Sequence, residues 1–252
     1  MLENKIIIIT GAGSGIGRAA AVLFAEAGAR LVIADVNEQA VNDTRTMIVA
    51  NGSEAIAIRI DVSSEDDAKQ LAQTAIDTYG RLDGAFNNAG VQMRNRLLQD
   101  LSLEEWNLVN SINATGVFLC MKYQIPAMRL GGGGAIVNTA SGNGVVAQPY
   151  STEYVASKHA VVGITRAAST EAAETGVRVN AVLPGMIETP MVADLINSPD
   201  FKPHYDSALA RHTIGRFGTA DDVAYVARFL LSDQSAFVNG AAIAVDGGYT
   251  AR

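Results

Sequence analysis

The stretch Thr10-Gly11-Ala12-Gly13-Ser14-Gly15-Ile16-Gly17 joins an apolar run of strand type, Lys5–Thr10, to a helical pattern over Arg18–Ala27. Glycines at such a turn let the backbone approach a pyrophosphate closely, and the following helix offers free N–H groups and the positive end of its dipole to the same anion. The spacing Gly-x-x-x-Gly-x-Gly differs from the commoner Gly-x-Gly-x-x-Gly pattern. By itself it is also compatible with an ordinary glycine turn, but its position between a strand and a helix favours dinucleotide binding.

The rest of the chain repeats this alternation of strand and helix. Several strand-like runs are almost wholly apolar, as expected of strands buried on both faces of a parallel sheet. The predicted strands are Lys5–Thr10, Arg30–Asp35, Ala55–Ile60, Asp83–Asn88, Ala135–Ala140, Arg178–Leu183 and Ala241–Asp246. Between them lie helical patterns such as Ser64–Tyr79, with Ser64 as a candidate cap. Repeated strand–helix–strand units predict a doubly wound α/β sheet with helices on both faces.

No linker or compositional break divides the chain, so we expect one domain over residues 1–252. Its 252 residues are 48% hydrophobic and 18% charged, which is typical of a globular protein with a sizeable core. The segment 189–213 is less periodic than the rest, and we interpret it as a lid over the edge of the sheet.

Composition also narrows the class of protein. No apolar run approaches the roughly 20 residues that cross a bilayer, and the N-terminus lacks a secretory pattern. The single cysteine, Cys120, excludes an intrachain disulfide and favours a reducing compartment, the cytoplasm. A net charge of −7 argues against nucleic-acid and anionic-membrane partners. Three scattered histidines and one cysteine predict no metal site. We therefore expect a cytoplasmic enzyme.

Asp35 ends the second predicted strand, 18 residues after Gly17. A carboxylate there can accept hydrogen bonds from the ribose hydroxyls of NAD, whereas the 2′-phosphate of NADP would face a like charge. At about 4 Å each like pair costs roughly 1 kcal/mol in water and about 4 kcal/mol at an effective dielectric near 20. Val36 and Asn37 supply no cation to offset it. A solvated aspartate at a strand end is the alternative, but the position favours NAD over NADP.

Ser141 follows a predicted strand, and Tyr154 and Lys158 come 13 and 17 residues later. Four-residue spacing on a helix puts tyrosine and lysine on one face. A phenol with a pKa near 10 is a poor base at neutral pH, and lowering that pKa by about 2–3 units needs roughly 3–4 kcal/mol. One ammonium near 4 Å supplies about that much at an effective dielectric near 20, and an oxidised nicotinamide would add a second positive charge. We therefore expect Lys158 to lower the pKa of Tyr154, which would exchange a proton with an alcohol held by Ser141. Such pairs also occur on exposed helices.

Together these motifs resemble the short-chain dehydrogenase/reductase family over essentially the whole chain. Thr10–Gly17 is similar to the family's Thr-Gly-x-x-x-Gly-x-Gly, Asn87-Asn88-Ala89-Gly90 to its Asn-Asn-Ala-Gly, and Asp246-Gly247-Gly248 to its C-terminal strand end. Pro184-Gly185, with Ile187 and Thr189, resembles the loop that holds the nicotinamide amide. The resemblance implies a seven-stranded Rossmann sheet and NAD(P)-dependent alcohol oxidation or carbonyl reduction.

The resemblance also implies residue roles. Asn113, Ser141, Tyr154 and Lys158 match the catalytic tetrad, in which Asn113 holds a water that extends a proton relay from Lys158. Asp61 and Val62 would meet the adenine. The implied cofactor-binding residues are Gly11, Ser14, Gly15, Ile16, Gly17, Asp35, Asp61, Val62, Asn88, Ala89, Gly90, Tyr154, Lys158, Pro184, Gly185, Ile187 and Thr189. Members of the family are usually homotetramers.

Four further segments resemble a subgroup that includes cyclohexanol and cyclohexadienediol dehydrogenases, namely Gly116–Tyr123, Ile136–Ser141, Lys158–Gly163 and Ile214–Phe217. The family's fold would place a substrate wall near Ser141, Tyr154 and Pro184. The wall that the resemblance implies comprises the lid 189–213 and Gly142, Asn143, Gly144, Gln148, Tyr150 and Met186. That wall offers no obvious cationic clamp, so we expect a small neutral, secondary and cyclic alcohol or its ketone. His204 and His212 in the lid segment would line the lid or be solvated.

Two alternatives stay open at this point. One is a carbonyl or 3-oxoacyl reductase on the same scaffold, working in the opposite direction. The other is a protein that binds NAD without performing chemistry, which would have no need of Tyr154 and Lys158 together.

Overall fold

The computed structural model describes residues 1–196 and 205–251 and contains one seven-stranded, wholly parallel sheet. The strand order is β3-β2-β1-β4-β5-β6-β7. The strands are β1 (Ile6–Thr10), β2 (Arg30–Asp35), β3 (Ala55–Arg59), β4 (Gly84–Asn87), β5 (Gly134–Thr139), β6 (Val177–Pro184) and β7 (Ala242–Val245). Each predicted strand is confirmed, with its ends within one residue of those expected.

Helices follow most strands along the chain. They are α1 (Gly15–Glu26), α2 (Glu38–Ala50), α3 (Glu65–Tyr79), α4 (Leu103–Asn110), α5 (Gly116–Leu130), α6 (Thr152–Glu171), α7 (Pro190–Ile196), α8 (Tyr205–Ala210) and α9 (Ala220–Leu231). Among the described residues, no helix is long and apolar enough to cross a membrane.

Two hydrophobic cores lie on opposite faces of the sheet. Ile7 and Ile9 of β1 pack with residues of α1, α2 and α9, whereas Ile6 and Ile8 pack with residues of α3, α5 and α6. All four isoleucines are buried because side chains alternate across a strand that is covered on both faces. The expectation of a doubly wound α/β sheet is confirmed.

Local sequence explains the ends of α3. Ser64 is its N-cap and accepts a hydrogen bond from the Asp67 N–H at 3.3 Å, as predicted. Three acidic residues in the first turn complement the helix dipole. Gly80 ends the helix with a φ of 78°, a conformation that glycine adopts without steric cost.

The topology brings several loops to one edge of the sheet. Strand order reverses between β1 and β4, and in open α/β sheets ligands bind outside the carboxyl ends of the strands at such a switch point. The glycine-rich loop follows β1, Asn88 follows β4, Ser141 follows β5, and the loop beginning at Pro184 follows β6. Chain positions more than a hundred residues apart therefore meet in one crevice.

The predicted lid segment 189–213 is helical at both ends, since α7 covers Pro190–Ile196 and α8 covers Tyr205–Ala210. Residues 197–204, with His204, lie outside the described residues.

Candidate active site

The glycine-rich loop after β1 has a backbone that side chains would disrupt. Gly11 and Gly15 have φ values of 67° and 50°. A Cβ at Gly17 would collide with the carbonyl oxygen of Gly11. Ser14, the N-cap of α1, makes no side-chain cap hydrogen bond, so the first N–H groups of this 12-residue helix keep their donor capacity. The arrangement suits an anion at the positive end of the helix.

Asp35 is fixed against this loop. Its Oδ2 accepts a hydrogen bond from the Gly13 N–H at 2.9 Å, and its Oδ1 accepts one from the Asn37 N–H at 2.9 Å. A Cβ at Gly13 would lie 2.8 Å from Oδ2, so only glycine fits there. Sequence reasoning missed Gly13, and it also missed Arg18, whose guanidinium donates to the Gly13 carbonyl and to Thr44.

Asn88 and Thr10 tie three strand ends together. Asn88 Nδ2 donates to the Thr10 carbonyl at 3.2 Å, and Thr139 Oγ1 donates to Asn88 Oδ1 at 3.3 Å. The Thr10 hydroxyl accepts from the N–H groups of Asn88 and Ala89 at 3.0 and 3.1 Å. A Cβ at Gly11 would lie 2.8 Å from the Ala89 Cα. The predicted cofactor residues after β1 and β4 therefore form one surface.

A buried amide network supports this surface from below. Asn87 Nδ2 donates to Gln124 Oε1 and Asn138 Oδ1 at 3.0 Å each, and Asn138 Nδ2 donates to Thr165 Oγ1 at 2.9 Å. All four side chains are buried. Sequence reasoning missed the network, although asparagines inside apolar strands were a signal that buried polar partners exist. Satisfied networks of this kind hold strands in a single arrangement.

Ser141, Tyr154 and Lys158 converge at the carboxyl end of β5. Tyr154 and Lys158 lie one turn apart on α6, with Lys158 Nζ 5.6 Å from the centroid of the Tyr154 ring. Lys158 Nζ donates to the Thr139 carbonyl at 2.8 Å. The Ser141 hydroxyl hydrogen-bonds with Tyr154 and accepts from the Asn143 N–H at 3.1 Å. A proton-transfer group, a cation and a hydroxyl therefore share one corner, in which Lys158 is buried and Ser141 and Tyr154 are half-buried.

The protonation energetics of this corner differ from expectation. Burial raises the pKa of Tyr154, and the hydrogen bond from Ser141 opposes that rise only in part. Burial also lowers the pKa of Lys158 to about 8. In the protein alone, Lys158 therefore does not bring the pKa of Tyr154 below its ordinary value. That Lys158 together with a bound oxidised nicotinamide lowers this pKa stays a prediction. Both groups leave water, which disfavours each charged form, and the ammonium is directed at the Thr139 carbonyl.

Asn113 lies on a π-helical turn, Ser111–Thr115, between α4 and α5. Its Oδ1 accepts from the Val91 N–H at 2.8 Å and its Nδ2 donates to the Val91 carbonyl at 3.0 Å. A Cβ at Gly90 would lie 3.1 Å from Asn113 Oδ1 and 3.6 Å from Lys158 Nζ, so both residues flank Gly90. Such π-turns are frequent at functional sites, and this one brings Asn113 close to the lysine.

The loop after β6 reaches back to the glycine-rich loop. Gly185 N–H donates to the Val245 carbonyl at 3.1 Å, and Ile187 forms a parallel bridge with Gly218. A Cβ at Gly15 would lie 3.2 Å from the Thr189 side chain. The predicted nicotinamide loop, which begins at Pro184, thus closes the crevice from the β6 side.

Asp61 and Val62 follow β3, further along the same edge. Asp61 Oδ1 accepts from the Ser63 N–H at 2.9 Å and from the Ser63 hydroxyl at 2.7 Å. A Cβ at Gly116 would lie 2.8 Å from Val62 Cγ2, which packs the end of β3 against the start of α5.

The expected substrate wall gains a member from the C-terminal tail. Tyr249 Oη donates to Asn143 Oδ1 at 3.3 Å, and Gly142 packs against the Tyr249 ring. The Arg211 guanidinium stacks on that ring at 4.2 Å, so a cation lies nearer to the wall than the sequence indicated. His212 is 4% exposed, which contradicts the suggestion that it is solvated.

Comparisons with known proteins show the family to which the chain belongs. A family model described as Enoyl-(Acyl carrier protein) reductase matches residues 11–250. A 2,5-dichloro-2,5-cyclohexadiene-1,4-diol dehydrogenase from Sphingobium indicum is 45% identical over 252 residues, covering 99% of this chain and 98% of that protein. A cyclohexanol dehydrogenase from an Acinetobacter species is 42% identical over 250 residues, covering 99% and 96%.

Among solved structures, levodione reductase superposes with a TM-score of 0.93 at 35% identity, covering 99% of this chain and 98% of that one. The resemblance to the subgroup of cyclohexanol and cyclohexadienediol dehydrogenases is confirmed. The glycine-rich loop, the parallel sheet and these full-length matches together identify the chain as a member of the short-chain dehydrogenase/reductase family of oxidoreductases.

Proposed function

We propose that this protein is an NAD-dependent dehydrogenase that interconverts a cyclic secondary alcohol and its ketone. One observation carries the proposal: the hydroxyl of Ser141, the phenol of Tyr154 and the ammonium of Lys158 meet beside the glycine-rich loop. The names of the two dehydrogenases reported above support a ring-shaped alcohol as substrate.

The residues present fit a dinucleotide. The glycine-rich loop has no room for side chains at Gly11 or Gly17, and the N-terminus of α1 presents uncapped N–H groups. These would hold the pyrophosphate, with Asp35 on the adenine ribose and the loop Pro184–Thr189 on the nicotinamide. When bound, the oxidised nicotinamide accepts a hydride from the alcohol carbon and brings a positive charge to the site.

The chain's own residues then handle the proton. Ser141 orients the substrate oxygen by a hydrogen bond, and Tyr154 takes the proton from the alcohol in oxidation or returns it in reduction. Lys158, held by the Thr139 carbonyl, supplies positive charge that favours the phenolate. Lys158 is buried beneath the half-buried Ser141 and Tyr154, so solvent can reach the phenol and hydroxyl but hardly the ammonium.

Asn113 and Lys158 form the outer part of the proton path in this proposal. They flank Gly90, whose missing side chain leaves the lysine next to the π-helical turn. A water held at Asn113 would pass the proton from Lys158 towards solvent.

Asp35 favours NAD over NADP. Both of its oxygens are engaged by backbone N–H groups, which fixes the carboxylate at the end of β2. A 2′-phosphate there would meet a negative charge that cannot swing away. Arg18 lies nearby, but its guanidinium is engaged by the Gly13 carbonyl and by Thr44.

We further propose a cytoplasmic homotetramer. Apolar side chains are exposed on α9 and just before β7, which is an edge strand of the sheet: Phe237 is fully exposed, and Tyr225 and Phe229 are partly so. A second exposed apolar set, Leu103, Leu108 and Phe118, lies on α4 and α5. The single cysteine is buried and free, which suits a reducing compartment.

The second candidate is a carbonyl or 3-oxoacyl reductase. The cation–π stack of Arg211 on Tyr249 favours it, because a cation near the substrate wall could receive an anionic or carrier-linked substrate. The description of the matching family model, Enoyl-(Acyl carrier protein) reductase, also names a carrier-linked substrate. The carboxylate of Asp35 argues against this candidate, because it disfavours NADP and reductive synthesis usually uses NADPH.

The test is an initial-rate assay at the absorbance band of the reduced nicotinamide. Cyclic alcohols, diols, sugars and steroids are run with NAD and NADP in parallel, and the corresponding ketones and a 3-oxoacyl thioester with NADH and NADPH. We expect turnover of a cyclic alcohol with NAD. Strong reduction of the thioester with NADPH, and none of the alcohols, would replace the first candidate by the second.

The matched blank for this assay is Tyr154→Phe. Loss of the phenolic hydroxyl should lower kcat by about 10²–10⁴-fold, the usual contribution of a general acid–base group. NADH binding, followed by fluorescence, should stay within about twofold. A variant that kept most of its activity would show that the proton passes through another group.

A further inference from the structure

His212 lies where three parts of the chain meet: α8, the loop after β6, and the C-terminal tail. Its ring is buried and packs edge-on against Phe217, with centroids 5.4 Å apart and an interplanar angle of 88°. On another side it packs against Tyr249 at 5.4 Å and 34°. Phe217 in turn packs edge-on against Tyr205 of α8 at 5.3 Å. We call His212 with these three rings the His212 junction.

Two hydrogen bonds fix the protonation of the imidazole. The Met186 backbone N–H, which can only donate, points at Nε2 from 3.1 Å. The Ala208 carbonyl, which can only accept, lies 3.0 Å from Nδ1. With these partners Nε2 accepts and Nδ1 donates, which assigns the tautomer that carries its proton on Nδ1. One ring spans an acceptor in α8 and a donor in the loop after β6.

The fit around Gly185 shows how closely the loop approaches this ring. A Cβ at Gly185 would lie 2.9 Å from His212 Nε2 and 2.9 Å from the Asp246 Cα. The loop is therefore wedged between the imidazole and the end of β7. Its position depends on the imidazole as well as on its own backbone.

The junction also reaches the substrate wall. Tyr249, which packs on His212, donates through its hydroxyl to Asn143 Oδ1 at 3.3 Å. The Asn143 N–H donates to the hydroxyl of Ser141 at 3.1 Å. A continuous chain of contacts thus runs from α8 through His212 and Tyr249 to the residue that orients the substrate oxygen.

We propose that His212 is a positioning residue that sets the nicotinamide loop and α8 in one fixed relation. The proposal rests on the proposed function, which assigns the loop Pro184–Thr189 to the nicotinamide. Breaking the bond between Met186 N–H and Nε2 should loosen the loop and weaken cofactor binding. Because His212 touches no predicted reacting atom, its loss should act on binding before it acts on the chemical step.

Two variants test the donor at Nδ1 and the acceptor at Nε2 separately. His212→Asn keeps a donor near the place of Nδ1 but has no acceptor near that of Nε2, whereas His212→Gln can put its amide oxygen near Nε2. We expect His212→Asn to weaken NADH binding on the order of tenfold, as a lost hydrogen bond that leaves a buried N–H unpaired would do. His212→Gln should stay within about threefold of the original protein. His159→Asn is the matched control, because His159 is exposed and bonds only the Val155 carbonyl of its own helix.

Hydrogen exchange gives a readout that does not depend on activity. In the protein without added cofactor, the peptide containing Met186 should exchange faster in His212→Asn and at the original rate in His212→Gln. The proposal would be overturned if the Met186 peptide exchanged at the same rate, and NADH bound with the same affinity, in His212→Asn as in His212→Gln. If the original protein bound no NADH at all, the proposed function would fail, while the exchange data would still decide whether His212 holds the loop.

A measurement on the unaltered protein guards against variants that fail to fold. In histidine-labelled protein, the ¹⁵N shifts of His212 should report a protonated Nδ1 and an unprotonated Nε2. A ring protonated on Nε2 could not accept from Met186 and would overturn the proposal.

Discussion

Lys158 and Tyr154 show how strongly burial acts on single residues here. The pKa of Lys158 is lowered to about 8 and that of Tyr154 is raised, both chiefly because the charged forms lose water. Desolvation of the charged forms of these two side chains therefore costs free energy even before a ligand binds. Functional sites commonly carry such a cost in stability.

Lys158→Met should change how the free energy of unfolding depends on pH. Between about pH 8 and 10.5 the unfolded lysine is protonated and the folded one is not, so the stability of the original protein rises with pH in that window. A shift of this size corresponds to about 3 kcal/mol. The stability of Lys158→Met relative to the original protein should therefore fall as pH rises from 7.5 to 10, by urea unfolding at fixed protein concentration.

Lys122→Met is the control for this experiment. Lys122 is exposed and paired with Glu65, which raises rather than lowers the pKa of its ammonium. Its removal should not reproduce the fall in relative stability over this pH range. Parallel stability curves for Lys158→Met and the original protein would contradict the prediction.

Asp35→Asn should change the choice of cofactor. The variant removes the charge but keeps an oxygen that can accept from one of the two backbone N–H groups. Since each like pair costs about 1–4 kcal/mol, kcat/KM for NADP relative to NAD should rise between about 5- and 1000-fold. Steady-state kinetics with both cofactors measures the ratio.

Asp43→Asn controls for the change in net charge. Asp43 is exposed on α2 and accepts a hydrogen bond from the Gln39 amide. The ratio of kcat/KM for NADP to that for NAD should therefore be the same in Asp43→Asn as in the original protein. An unchanged ratio in Asp35→Asn would mean that the carboxylate does not meet the 2′ position.

At the scale of elements, the loop between β1 and α1 packs tightly, and it leaves the first backbone N–H groups of α1 without a side-chain cap. Gly17 approaches the Gly11 carbonyl in a way that no side chain permits, and Ser14 leaves the start of α1 uncapped. The π-helical turn Ser111–Thr115 serves the same crevice from another element by bringing Asn113 beside Gly90. Both features give up regular hydrogen bonding where the proposed cofactor and proton path lie.

Gly17→Ala should damage this element in two ways. The added Cβ would displace the Gly11 carbonyl, which should cost roughly 1–3 kcal/mol of stability, as overpacking does. The altered loop should bind NADH at least about tenfold more weakly. Thermal unfolding and fluorescence titration measure the two effects.

Ser14→Ala is the matched change for stability at the same loop. Because the Ser14 side chain makes no cap hydrogen bond, its loss should cost only a few tenths of a kcal/mol. If Gly17→Ala lost no more stability than Ser14→Ala, the loop would tolerate the extra methyl group and the prediction would be wrong.

At the scale of the whole molecule, the sheet ends at β3 and β7, and one exposed apolar set lies near β7. Phe237 is fully exposed beside α9, whose Tyr225 and Phe229 are also accessible. An exposed apolar cluster next to an edge strand is typical of an interface. The proposed tetramer would cover it.

Phe237→Asp should break that assembly. A charge in the interface would be buried without a partner, so the mass in solution should fall from four times the 26.4 kDa of the chain to a smaller species. Light scattering after size exclusion measures it. Leu130→Asp, an equally polar change at an exposed site at the end of α5, should leave the mass unchanged. If the mass of Phe237→Asp in solution stayed that of a tetramer, Phe237 would not lie in the interface.

Local patterns were sufficient for the sheet, the glycine-rich loop and the spacing of Tyr154 and Lys158. Strand and helix periodicity, glycine at turns and the four-residue step of a helix all act within a few residues. The carboxyl ends of parallel strands then had to meet at one edge, so the crevice followed from the order of elements alone. These features were readable because neighbours in sequence cause them.

Tertiary structure decided what depends on distance across the chain. Gly13 meets Asp35 over 22 residues, Met186 meets His212 over 26, and Tyr249 meets Asn143 over 106. The pKa shifts of Tyr154 and Lys158 likewise depend on burial by many separate segments, which the spacing of the two residues along α6 does not show. Solvent exclusion and hydrogen-bond partners are properties of the folded packing, and no spacing within one element can specify them.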